Sequence, residues 1–104
     1  MPGYVYAPKG DTNHAEISGY YIELMCLVFD THTLPGFVDL VVRIPTRGGT
    51  VLQMVEIKTD KGAVQPRQRR LQRDWGPACI ALVRTQQDVI EHVERVQARA
   101  RGAV

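Results

Sequence analysis

Cysteine, aromatic side chains and long apolar runs are all scarce in this 104-residue chain. Its two cysteines, Cys26 and Cys79, lie in apolar, strand-like runs with no CxxC or Cys/His spacing around them. They suit buried thiols better than a disulfide framework or a metal site. The longest unbroken apolar runs, Leu24 to Phe29 and the equally long Ala78 to Val83, are far short of the roughly 20 residues that span a bilayer. No basic-then-apolar leader opens the sequence, so a cytoplasmic location without a membrane partner is expected. What is present, 44% apolar and 23% charged residues, is the balance of a globular protein with one domain and one core.

The net charge of +2 conceals an asymmetry. Residues 1–60 carry four Lys/Arg against seven Asp/Glu, whereas residues 61–104 carry nine against four. An acidic half joined to an arginine-rich half can hold a cation in one place and a polyanion in another.

Residues 1–10 hold two Pro, two Gly and two Tyr and read as an extended arm, leaving 11–104 as the domain. Asn13-x-x-Glu16 has capping-box spacing and opens a helix over about 13–24, with Ile17, Tyr20, Tyr21 and Leu24 on one face. Strands are expected at 25–30, 37–44 and 51–58, the last two joined through a Pro45–Thr50 loop. Pro66 suits the first turn of a helix that ends near Trp75-Gly76-Pro77, with Trp75 as a core anchor. A fourth strand at 79–84 precedes a final helix capped by Thr85-x-x-Asp88, with Val89, Ile90, Val93 and Val96 inward. The order α-β-β-β-α-β-α implies an α/β fold, a mixed four-stranded sheet with helices on its faces. His14 and His92 read as surface helix positions and His32 as a loop residue.

Chemistry is most visible at Glu56-Ile57-Lys58, where strand alternation puts Glu56 and Lys58 on one face. The hairpin partner adds Asp39, a carboxylate inside the apolar run Phe37–Val42 that would be costly to bury alone. Two carboxylates on adjacent strands offer the hard oxygen ligands that Mg²⁺ or Mn²⁺ takes. Lys58 beside them could orient water and neutralise a scissile phosphate, a design for phosphodiester hydrolysis. The competing reading of the same residues is a structural Asp-Lys-Glu ion-pair cluster.

Pro35-Gly36-Phe37-Val38-Asp39-Leu40, then Val55-Glu56-Ile57-Lys58-Thr59, then Val64-Gln65-Pro66-Arg67-Gln68 resemble the signature of the PD-(D/E)XK nuclease superfamily, in particular its small phage-type and VRR-NUC-like members. The resemblance covers about residues 11–96, including Asp11–Ile17 and the segment from Cys79 to Val89. It implies a restriction-endonuclease-like core and a Mg²⁺-dependent DNA endonuclease, with Mn²⁺ able to substitute. By the same resemblance Asp39 and Glu56 are metal-binding carboxylates, Lys58 is the catalytic lysine, Glu16 an accessory acid and Gln68 the glutamine of the following helix. The Ile57 carbonyl would also face the metal. Two departures are Val38, where the family usually has proline, and Gln65, where it often has a Ser or Thr cap.

Lys61, Arg67, Arg69, Arg70 and Arg73 are the natural phosphate contacts for nucleic acid. Cutting both strands of a duplex, or a branched substrate, with one site per domain calls for a homodimer. A non-catalytic nucleic-acid-binding or assembly module of the same fold, and an RNA-directed nuclease, are the alternatives.

Overall fold

A computed structural model describes residues 12–58, 70, 73–76 and 80–102. The order is α1 (Thr12–Glu23), β1 (Leu27–Asp30), β2 (Leu40–Thr46), β3 (Gly49–Ile57), α2 (described at 70 and 73–75), β4 (Ile80–Val83) and α3 (Gln86–Gly102). The sheet runs β1-β2-β3-β4; the first two pairings are antiparallel and β3–β4 is parallel. The fold is thus α/β with a mixed four-stranded sheet, as the sequence order implies. The N-terminal arm lies outside the described residues.

Strand alternation divides the sheet into two faces. Leu40, Val42 and Ile44 of β2, with Val55 of β3, are fully buried against Ile17 and Tyr21 of α1 and Val89, Val93 and Val96 of α3. Each large aliphatic buried there contributes roughly 1.5–3 kcal/mol. The opposite face carries a smaller cluster of Val38 and Ile80 with Phe37, Val41 and Met54 packed on it. Asp39 and Glu56 belong to that second face by the period-2 rule.

Local details depart from the sequence reading. Helix α1 starts at Thr12, so Asn13 is inside the helix, and its Nδ2 donates to the Lys58 carbonyl at 3.4 Å. The expected capping box with Glu16 is therefore not what starts the helix. The β2–β3 connection is tighter than a six-residue loop: Pro45 pairs with Thr50 and Thr46 with Gly49, leaving Arg47-Gly48 as the turn. Pro45 is tolerated because β1 ends at the level of Arg43, so β2 is an edge there. Trp75 is 55% exposed and meets Phe37 edge-on at 6.4 Å, at the rim of the second cluster rather than as a core anchor. Gly76, at φ 88°, stops α2 in the left-handed conformation that glycine accepts without strain.

At α3 the expected cap is present. Asp88 N–H donates to Thr85 Oγ1 at 3.1 Å, while the Asp88 carboxylate accepts from the Arg84 and Thr85 N–H groups at 2.8 and 3.2 Å. The buried stripe is Val89, His92, Val93 and Val96; Ile90 is only partly buried.

Candidate active site

Asp39 immediately precedes β2, and its place is fixed from both neighbouring strands. Its N–H donates to the Val55 carbonyl at 3.1 Å, and its own carbonyl accepts from Thr31 N–H at 3.0 Å. The approach is shaped by Gly36 at φ 74° and by Thr31 Oγ1, which donates to the Val38 carbonyl at 2.8 Å. The register that pairs Leu40 with Val55 brings Asp39 opposite Glu56.

The two carboxylates are cross-linked to the backbone of each other's strand. Asp39 Oδ2 accepts from Ile57 N–H at 2.8 Å, and Glu56 Oε1 accepts from Asp39 N–H at 3.1 Å. Glu56 is only 1% exposed, whereas Asp39 is half-buried and opens the pair toward solvent. Backbone N–H donors suit ionised carboxylates, which accept without donating.

Lys58 follows two residues after Glu56. Its N–H donates to the Val83 carbonyl at 2.9 Å and continues the β3–β4 ladder. The side chain is 5% exposed, and among the described residues Nζ has no hydrogen-bond partner. A buried, unpartnered ammonium is costly, and an anion supplied from outside would relieve that cost.

Of the other expected residues that are described, Ile57 alone is drawn into this group by a described contact. Glu16 is exposed on α1, and Ile57 meets the pair through its N–H. Gln68, Lys61, Arg67 and Arg69 lie outside the described residues. Arg70 is exposed, as is Arg73, whose Nε stands 3.3 Å from Asp74 Oδ1 in a surface pair of little energetic weight.

His14 and His92, read from sequence as surface positions, are both buried, and each belongs to a separate constellation. His92 is 2% exposed; its Nε2 is 3.0 Å from Gln53 Oε1 and its Nδ1 is 2.7 Å from Tyr21 Oη. Because the amide oxygen only accepts, Nε2 carries the proton and Nδ1 accepts from the tyrosine hydroxyl. Burial, with Arg95 and Arg99 nearby, pushes the His92 pKa down to about 4, and burial pushes that of the Tyr21 hydroxyl well up.

The second constellation is His14, Asp30 and His32, whose ligand atoms all lie within 4.8 Å of one another. Burial of Asp30 would raise its carboxyl pKa, but hydrogen bonds from His32 and the charges of His14 and His32 outweigh it and hold the group low. The Asp30-x-His32 spacing was visible in the sequence; the arrival of His14 from a helix was not. A recess of about 170 Å³ between β3, β4 and α3 is lined by Gln53, His92, Arg95 and Arg99 among others, with no carboxylate among the described lining residues.

Comparison of the chain with family models, with curated proteins and with solved structures gives no match.

Proposed function

We propose that the protein is a divalent-metal-dependent phosphodiester hydrolase acting on DNA, with Asp39, Glu56 and Lys58 as its centre. The observation that carries this reading is the buried Lys58 ammonium, without an acceptor among the described residues, two positions past Glu56 at the end of the strand that brings Glu56 beside Asp39. Two carboxylates held by backbone amides are a fitting donor set for a hard cation such as Mg²⁺, which would acidify bound water and stabilise charge on the phosphate. Asp39 and Glu56 would hold that cation, and Lys58 would orient the attacking water and neutralise the scissile phosphate. The arginine-rich second half of the chain supplies phosphate contacts, Arg70 and Arg73 among them. Leu27, Phe29 and Leu52, each at least half exposed on the sheet, offer apolar surface for a second copy, as cutting two strands requires.

A second reading, a nucleic-acid-binding module without turnover, draws on the burial of Glu56 and Lys58. The test is incubation with supercoiled, single-stranded and four-way-junction DNA in Mg²⁺ or EDTA. Cleavage in Mg²⁺ should fall about a hundredfold or more in Lys58→Ala and Asp39→Ala. Cleavage that persists in either variant removes the proposed centre, and binding without cleavage by the wild type favours the module.

A further inference from the structure

Away from the carboxylate pair, three elements bring two imidazoles and one carboxylate together: His14 from the first turn of α1, Asp30 from the end of β1, and His32 just beyond it. Asp30 pairs with Leu40, whose side chain is buried on the helix side of the sheet, so this group and Asp39 belong to opposite faces. Asp30 Oδ1 lies 3.3 Å from His14 Nε2 and 2.5 Å from His32 Nδ1, and the two rings meet at an angle with centroids 4.7 Å apart. His14 is more than nine-tenths buried, and its Nε2 makes no hydrogen bond among the described residues.

We propose that His14, Asp30 and His32 form a binding site for a borderline divalent transition metal, with Zn²⁺ as the natural occupant. A buried imidazole nitrogen aimed at a carboxylate edge, with a second imidazole on the same oxygen, is a donor set of nitrogen and oxygen that selects Zn²⁺, Co²⁺ or Ni²⁺ over Mg²⁺. Tetrahedral Zn²⁺ with ligands at about 2.1 Å separates neighbouring donor atoms by about 3.4 Å. The His14–Asp30 separation of 3.3 Å already has that size. The His32–Asp30 contact would open by about 1 Å to admit the ion in place of the shared proton. The side chains of His32 and Asp30 are 20% and 29% exposed, which gives the ion a path from solvent and leaves a coordination position for water. Bound metal would tie the start of α1 to the β1–β2 connection.

The inference stands apart from the hydrolase reading, and its test separates them. The purified full chain, stripped with chelator, is titrated with Zn²⁺ by calorimetry and with Co²⁺ by visible absorption, each in excess Mg²⁺. The expected result is one equivalent bound per chain, a Co²⁺ d–d band, and a melting temperature that rises with Zn²⁺ concentration as binding to the native state requires. Asp39→Asn and Glu56→Gln should keep the equivalent; His14→Ala, His32→Ala and Asp30→Asn should lose it. Asp30→Asn and His32→Ala replace partly exposed side chains, so they decide the matter if His14→Ala does not fold. No stoichiometric Zn²⁺ binding by the wild type, binding retained in folded His32→Ala and Asp30→Asn, or loss in the Asp39 and Glu56 variants would each overturn the proposal.

Discussion

Asp39 and Glu56 hold one another's strands: the Asp39 carboxylate accepts from Ile57 N–H at 2.8 Å, and the Glu56 carboxylate accepts from Asp39 N–H at 3.1 Å. The same groups proposed to bind metal therefore also satisfy the backbone at the start of β2 and the end of β3.

This dual use separates two substitutions at Asp39. Asn keeps an acceptor for the Ile57 N–H, whereas Ala leaves that donor unpaired at a cost of about 1–3 kcal/mol. Urea unfolding should show Asp39→Ala less stable and Asp39→Asn close to wild type, while both lose Mg²⁺-dependent cleavage. Equal stability of the two variants would mean the carboxylate does not support the strand pair.

Lys58→Met offers the opposite trade. Removing a buried ammonium that lacks a hydrogen-bond partner among the described residues, with the apolar stem kept, should leave stability unchanged or raise it by about 1 kcal/mol or more. Cleavage should vanish. A drop in melting temperature would assign Lys58 a stabilising role instead of a catalytic one.

His92 predicts acid sensitivity. Its pKa is about 4 in the folded protein and near 6.5 when unfolded, so the unfolded chain binds the extra proton between those values. The stability held by the neutral ring is complete above about pH 6.5, declines as pH falls toward 4, and the loss reaches at most about 3 kcal/mol. Denaturant midpoints measured across that window should shift for the wild type and shift less for His92→Gln.

Burial pushes the Cys26 thiol up to about 11, and the side chain is a buried free thiol. The thiolate is the reactive form. At pH 8 the Cys26 peptide should remain unmodified by iodoacetamide in native protein and react readily in denaturant, as mass spectrometry would read. Rapid native labelling would place Cys26 outside the core.

The sheet was legible because period-2 patterning carries its own evidence: Leu40, Val42 and Ile44 alternate with Arg43, and only one register buries them together. The Asp39–Glu56 pairing followed from the same alternation. The Thr85–Asp88 cap was legible because its partners are three residues apart. His14 and His92 were misread because what buries a polar ring is a partner distant in sequence; Tyr21 is 71 residues from His92. Asn13 misled for a similar reason, since its amide serves the Lys58 carbonyl and not its own helix start. The Trp75 reading failed because helical spacing marks a face without showing how deeply the end of that face sinks; Trp75 is 55% exposed.

The reciprocal hold between Asp39 and Glu56 also bears on how errors in folding would be penalised. A one-residue slip of β2 against β3 would send Asp39 to the side of the sheet occupied by α1 and α3 and strand its charge among Ile17, Tyr21 and Val89. The acidic residue thus acts as a proofreader of strand alignment: a chain that pairs wrongly is disfavoured, and one that pairs correctly has both carboxylates already in place.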